Sequence, residues 1–448
     1  VSRLYANALA RSIADSNPRI RRTFEQWRNT EALDSALEKN EDLKSVMLRE
    51  TPWMLEADDE RETRRNVGQL FESNRLKREI RKALRKVKEI QHDDGGWPWF
   101  PGGKTNRYVT QYIACAFARL RHLGVDGIDM APAIEAVGYL DRAVDEQFRD
   151  LRKHKNLDES NLSPFVALYL YTRSFYLGDV DIQAEHREAV DYFIGQAAKH
   201  WTGLSSRQSQ AHVAIALKRF DKGGETPNDI VVSLRERAKQ DEEMGMYWAT
   251  AEECWWWYHA PVETQARMIE LFDEVARDKE AVEACKVWLL KQKQTSHWRS
   301  TKATADADHA LLSRGTNLLA DTSLATLSVA DETVEPKNVE AGTGFYTKRF
   351  TGPEVTPEMS TVTVEKETDG IAWGGVHWQY FESVEKVPAH AGTPLEIKKD
   401  LYVKRDSRKG PVLHRVRTAN LRVGDEVVVR LELRSDRDME FVHLKDDR

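Results

Sequence analysis

Cysteine is scarce in this sequence. Cys115, Cys254 and Cys285 are odd in number and widely separated, which excludes a disulfide scaffold, and none shows the paired Cys-x-x-Cys spacing of a zinc site. Long apolar runs are absent too, none approaching the roughly 18 residues that span a bilayer. There is no basic excess: 67 basic against 73 acidic side chains leave a net charge of −6, which argues against nucleic acid or an anionic membrane as the main partner. No signal peptide precedes Val1, so the sequence reads as a processed piece or fragment of something longer. What is present suffices for a sizeable core: 40% hydrophobic residues, with 13 Trp, 13 Tyr and 14 Phe, exclude global disorder. At roughly 150 residues per domain, the length predicts about three units, or one large helical unit and something smaller.

Two textures divide the chain. Residues 1–312 read as short, numerous helices. Leu76, Ile80, Leu84, Val87 and Ile90 recur at three- and four-residue steps, as do Val109, Tyr112, Ile113, Ala116 and Leu120, and Ile134, Val137, Leu140, Val144 and Phe148. Breaks fall at Asn17-Pro18, Gly124 to Gly127, Gly178 and Gly223-Gly224. Beyond about Arg314 the period becomes two, in Thr361 to Val364, Ile371 to Phe381, Leu395 to Val403 and Val427 to Leu433, which predicts antiparallel β-structure. Gly424 and Asp425 supply a turn inside Leu421 to Val427.

The helical part repeats itself. Gln91-His92-Asp93-Asp94-Gly95-Gly96-Trp97 precedes an apolar helix, with weaker echoes at Trp201 to Leu204, Tyr247-Trp248 and Trp298 to Thr301. A period of about 50 residues suits stacked helical hairpins, open as a solenoid or closed as a ring. Gly at the turn permits positive φ, and the Trp behind it plugs the gap between hairpins.

Enzyme chemistry finds few anchors. Asp306-Ala307-Asp308-His309 lacks the final Asp of the Asp-x-Asp-Asp acid that terpenoid cyclases use. Glu252-Glu253-Cys254 and Glu283-Ala284-Cys285 carry Glu where a prenyltransferase zinc site needs Asp-x-Cys. Nothing places two carboxylates together as a glycosidase requires. Trp255-Trp256-Trp257-Tyr258 cannot share one helix face and reads as core or domain interface rather than a sugar platform. The basic run from Arg75 to Lys88 reads as a solvated outer helix face.

A family resemblance enters on specific runs. Asp94-Gly95-Gly96-Trp97-Pro98-Trp99-Phe100-Pro101-Gly102-Gly103 followed by Arg107-Tyr108-Val109-Thr110-Gln111-Tyr112 resembles the thioester domain of bacterial α2-macroglobulins. So do Val262-Glu263-Thr264-Gln265-Ala266, the segment from Trp373-Gly374-Gly375 to Glu382, and Val423-Gly424-Asp425 before a β run. The resemblance implies an α + β multidomain chain. Residues 1–312 would form an α/α toroid of helical hairpins, 313–390 a CUB-like β segment, and 391–448 the start of a macroglobulin-like, receptor-binding-type β-sandwich. Cut short, that sandwich is expected to leave a strand edge near Val427 to Leu433 open to pairing.

The implied function is protease trapping by a broad-range endopeptidase inhibitor of the periplasm or cell envelope. Target proteases are the partners, and neither a catalytic residue, a cofactor nor a metal is implied. Cleavage of a bait region exposes a Cys–Gln thioester, whose carbonyl acylates an amine and survives only while water is excluded. By the same resemblance Trp97, Trp99, Tyr108, Gln111, Glu263, Thr264 and Gln265 line the thioester pocket. The plainer reading of each is hairpin packing or satisfaction of backbone groups. The chain departs from the family at one point: none of its cysteines is followed by x-Glu-Gln. In the family that motif stands a few residues before a segment like Tyr5-Ala6-Asn7, so either the parent carries the thioester just upstream of Val1 or it belongs to the branch of the family that lost the motif. Two readings from other classes remain: a toroidal enzyme acting on glycans or isoprenoids, and a module that docks a partner without covalent chemistry. A catalytic ring should show an open polar cavity, and a thioester domain an apolar patch near Trp97 and Val262.

Overall fold

The structure, a computed structural model, describes residues 2–16, 73–125, 127–242, 244–248, 260–293, 300–314, 323–337, 344–368, 395–407, 410–416 and 421–435, with isolated positions between them. The sequence motifs at Trp255 to Tyr258, Glu252 to Cys254, Trp373 and Trp378 to Glu382 lie outside the described residues. The chain divides between Ala372 and Trp373 into two compact units.

Among the described residues the helices of the first unit are α1 (Ser2–Ser16), α2 (Ser73–Ile90), α3 (Arg107–His122), α4 (Ala131–His154), α5 (Pro164–Ser174), α6 (Ala184–His200), α7 (Arg207–Phe220), α8 (Thr226–Glu236), α9 (Pro261–Leu271), α10 (Lys279–Lys293) and α11 (Thr301–Ser313). Packing closes six of them into a ring, α3 on α5, α5 on α7, α7 on α9, α9 on α11, α11 on α1 and α1 on α3. The others lie outside: α2 against α1, α4 against α3, α8 against α7, α10 against α9, and α6 against α4 and α7. This is an α/α toroid of helical hairpins.

Burial explains the sorting. A helix that is apolar on one stripe can cover a surface, whereas an inner helix must be buried all round. Thus α9 is buried without a break from Glu263 to Leu271 and α7 from Gln208 to Leu217. By contrast α2 buries Leu76, Ile80 and Val87 and leaves its charged face in water. Side chains fix where the inner helices begin: Asn106 accepts from the Val109 amide, Ser163 from Val166, Ser206 from Ser209 and Ser300 from Ala303, capping α3, α5, α7 and α11.

Neighbouring inner helices touch start to start and end to end. Gln111 early in α3 donates to the Phe165 carbonyl early in α5 at 3.3 Å, and Lys302 in α11 meets Glu263 in α9 at 3.2 Å. At the opposite ends, Arg121 donates to the Phe175 carbonyl at 2.8 Å and Arg219 to the Ser174 hydroxyl at 3.2 Å. These inner helices therefore run parallel, and their N-termini share one face of the ring.

The tryptophan echoes have a common role. The indole N–H of Trp97 donates to the Val87 carbonyl of α2 at 2.8 Å, that of Trp248 to Leu234 of α8 at 2.9 Å, and that of Trp298 to Leu289 of α10 at 3.1 Å. Each buried ring thus satisfies a carbonyl near the C-terminal end of an outer helix, where intrahelical donors run out. The fourth echo, Trp201, opens a short 3-10 turn (Trp201–Gly203) instead. Before two of these tryptophans a glycine at positive φ meets outer-helix backbone: a Cβ on Gly95 would lie 2.4 Å from the Glu135 carbonyl oxygen, and one on Gly245 2.2 Å from that of Ala284.

The ring is followed by a three-stranded antiparallel sheet in which β3 (Thr326–Val329) lies between β4 (Glu332–Thr333) and β5 (Val362–Glu365); β1 (Lys239–Asp241) and β2 (Gly245–Tyr247) form a small hairpin ahead of α9. In the second unit β6 (Leu395–Ser407) lies between β7 (Gly410–Arg415) and β8 (Glu426–Ser435), all antiparallel. Register places Ile397 opposite Leu433, Leu401 opposite Val429 and Val403 opposite Val427, while Glu396 faces Arg434 and Lys398 faces Glu432. Alternation therefore gives this sheet one apolar and one charged face. Among the described residues no strand covers the outer side of β8. The turn at Gly424 has φ +95°, with the Asp425 amide donating to the Arg422 carbonyl at 3.0 Å.

Candidate functional site

The face formed by the inner-helix N-termini carries an aromatic cluster. Trp99, in the loop from α2 to α3, stacks on Tyr108 with ring centroids 6.3 Å apart; Tyr108 stacks on Tyr112 at 6.4 Å and meets Phe165 of α5 edge-on at 6.5 Å. Trp99 and Phe100 are each 65% exposed and Phe165 37%. Tyr108 is half-buried, and burial raises its phenol pKa, with Asp306 and Glu263 adding to the effect.

The seven residues singled out in the sequence are distributed as follows. Trp99 and Tyr108 lie together in this cluster, and Gln111 is buried one turn along α3, tied to α5. Glu263 and Thr264 open α9; Glu263 faces Lys302, whereas the buried Thr264 hydroxyl has no hydrogen-bond partner among the described residues. Two turn elsewhere. Trp97 packs against α2, and Gln265 donates to the carbonyls of Met246 at 2.7 Å and Cys285 at 3.1 Å, toward β2 and α10.

Behind the aromatic face a cavity of about 20 Å³ is lined by Tyr108, Tyr112, Cys115, Arg119, Gln208 and Asp306, among others. That is room for about one water, not for a substrate. Beyond it the described ring interior is charged. Arg119 of α3 is ion-paired with Asp306 of α11. Arg267 of α9 bonds Glu270 and the Tyr171 hydroxyl, which itself donates to Glu270 at 2.8 Å. Arg219 of α7 binds Glu270 and Glu274, each at 2.6 Å, and Arg314 meets Asp273 at 3.0 Å and pairs with Glu274. Cations gather at the ends of α3, α7 and α11, where the helix dipoles are negative.

Electrostatics hold these groups charged. Burial alone would protonate Asp306, but Arg119, then Lys302 and Arg267, keep its carboxyl well below the usual carboxylate range. Burial likewise opposes ionisation of Glu274, and Arg219 and Arg314 bring it down to about 2. His212 and His309 are neutral, pushed far below the ordinary imidazole value by burial first and by the surrounding arginines second. An aspartate held ionised by buried cations is a poor proton donor, so Asp306 does not suit the role of a cyclase acid. Among the described residues no group of His, Cys, Asp and Glu could hold a metal ion, and no helix is long and apolar enough to cross a membrane.

Sequence reasoning missed the charged interior. Its one signal was positional: Arg119 sits among Phe117, Ala118 and Leu120, and Arg267 and Glu270 interrupt Ala266, Met268, Ile269 and Leu271. A charge inside a helix that is apolar on every side must find a partner across the ring.

A family model described as the A-macroglobulin TED domain matches residues 59–313. No curated protein matches the chain. Among solved structures, the chain resembles the native alpha-2-macroglobulin of Escherichia coli spanning domain MG7 to the C-terminus, at 13% identity and a TM-score of 0.40, over 81% of this chain and 50% of that one. It also resembles the E. coli protein activated by porcine elastase, at 15% identity and a TM-score of 0.40 over 85% of this chain and 29% of that chain. A third likeness is to Salmonella alpha-2-macroglobulin reacted with methylamine, at 16% identity and a TM-score of 0.38 over 96% of this chain and 24% of that chain. The chain thus spans half or less of the length of these structures, and the family assignment rests on the family model.

Proposed function

The chain belongs to the A-macroglobulin TED-domain family, and from that premise we propose that it is part of a bacterial α2-macroglobulin-like, broad-range endopeptidase inhibitor that traps proteases in the cell envelope. It acts in that assembly without being an enzyme. Residues 1–312 supply the pocket wall of the thioester. Residues 313–390 supply a CUB-like cover, and 391–448 begin a macroglobulin-like sandwich. The reactive Cys-x-Glu-Gln does not occur in these 448 residues, and in this proposal a longer parent supplies it.

One observation carries this reading. The aromatic face of Trp99, Phe100, Tyr108 and Phe165 lies at the inner-helix N-termini, over an interior of paired charges. An activated acyl group needs an apolar wall that keeps water away and amines out until release. A catalytic ring needs the opposite, an open cavity with free acids and bases. In this proposal Trp99, Tyr108 and Glu263 border the pocket, while Trp97, Gln111, Thr264 and Gln265 hold its walls in place.

The test is the intact mass of the full protein before and after methylamine. A mass short by one ammonia, then a gain of one methylamine with a newly titratable thiol, supports the covalent trap. No change in mass, with no protease retained after bait cleavage, refutes it and leaves a ring that docks a partner without covalent chemistry.

A further inference from the structure

The outer helix α2 carries a feature that protease trapping does not use. Its 18 residues hold eight basic and two acidic side chains, a net of +6 inside a chain of net −6, leaving −12 for everything else. The exposed cations form two rows, Lys77–Arg81–Arg85 and Arg78–Lys82–Lys86, each stepping four residues and therefore about 6 Å along the axis. Among the described residues none of the six is ion-paired with a carboxylate, whereas buried arginines elsewhere in the ring are. Leu76, Ile80 and Val87 face inward and α2 packs on α1, while Lys77, Arg78, Arg81, Lys82, Arg85 and Lys86 are exposed. Adjacent like charges on one helix repel, and Glu79 and Glu89 are too few to offset eight cations.

We propose that this face docks the protein on an anionic lipid bilayer by electrostatics alone. The chain's total charge speaks against a membrane as the partner of the whole molecule, but a surface is felt over about a Debye length, where α2 dominates. A helix on the rim of a ring meets a plane along its axis, so both rows reach headgroup phosphates together. No aromatic or apolar side chain stands among the rows, so nothing inserts into the bilayer or stacks on a base, and no Asn or Gln is there to read a base edge. An interface with a folded protein would be built around an apolar or aromatic anchor, and the rows have none.

The experiment is sedimentation of the full chain with vesicles of phosphatidylcholine alone or mixed equally with phosphatidylglycerol, at low and at physiological salt. Binding to the mixed vesicles that weakens with salt is expected, with none to neutral vesicles. A variant carrying Arg78→Gln, Lys82→Gln, Arg85→Gln and Lys86→Gln keeps good helix formers at exposed positions and is expected to lose binding about tenfold or more, with its helical circular dichroism unchanged. Replacing Lys398, Lys399, Lys404 and Arg430 in the second unit by Gln removes as much charge and is expected to leave binding intact. Equal binding to neutral vesicles, equal losses in both variants, or capture by duplex DNA in preference to the anionic vesicles would each overturn the proposal.

Discussion

Arg119 of α3 and Asp306 of α11 form an ion pair inside the ring, reaching past α1, with both side chains almost wholly buried. Such a pair contributes little net stability, because desolvation offsets much of the attraction, but breaking it strands a charge. Asp306→Asn should therefore destabilise the ring by about 3–5 kcal/mol, and Arg119→Met by a similar amount. The double variant should lose clearly less than the sum. Urea unfolding of the four proteins checks this, and strict additivity would show that the two side chains do not act on each other.

That pair also marks where sequence reading stops. Helical and β textures, the repeat and the bracing tryptophans are local properties, so Gly95, Trp97, Trp248 and Trp298 were visible in the chain. Residues 119 and 306 are brought together only by ring closure, which periodicity cannot register. Trp97 and Gln265 show a subtler limit: both stand in motifs that border the N-terminal face, yet their donors are turned to outer elements. A motif gives the neighbourhood of a side chain but not the direction of its χ1.

The pH response should have two stages. His212 and His309 sit far below their ordinary value in the fold, through burial and then the nearby arginines. As pH falls through about 6.5 the unfolded chain takes up protons that the native imidazoles refuse, so stability declines from there downward. Asp306 and Glu274 are depressed carboxylates whose contribution is complete above about pH 4.5 and is lost as pH falls toward their folded values, about 2 for Glu274. Chemical denaturation across the range should show a first decline that begins near about pH 6.5 and continues downward, and a second that adds to it below about 4. Replacing His212 and His309 by Gln should flatten the first and spare the second.

The tryptophan braces make a graded prediction. Trp97→Phe removes a donor from the Val87 carbonyl while keeping most of the ring, and should cost about 1–3 kcal/mol; Trp97→Ala adds a cavity and should cost about 3–5. Trp298→Phe should behave like Trp97→Phe because it makes the same bond to Leu289. Gly95→Ala should cost more than the roughly 1 kcal/mol of an ordinary αL alanine, since its methyl would lie 2.4 Å from the Glu135 carbonyl oxygen. Thermal unfolding of the set orders these effects, and a neutral Gly95→Ala would mean the turn can move off α4.

The aromatic face separates shielding from packing. Trp99 is 65% exposed and its main ring contact is Tyr108, so Trp99→Ala should leave the unfolding temperature nearly unchanged. If that face covers the thioester, the same substitution in the full protein should speed methylamine uptake and spontaneous hydrolysis severalfold, because water and amines gain access to the acyl carbon. Trp97→Phe provides the opposite case, a loss of stability with little change in amine reactivity while the protein stays folded. The two substitutions stand two residues apart, so a reversal of their effects would locate the acyl group on the α2 side of the loop and remove Trp99 and Tyr108 from the pocket border.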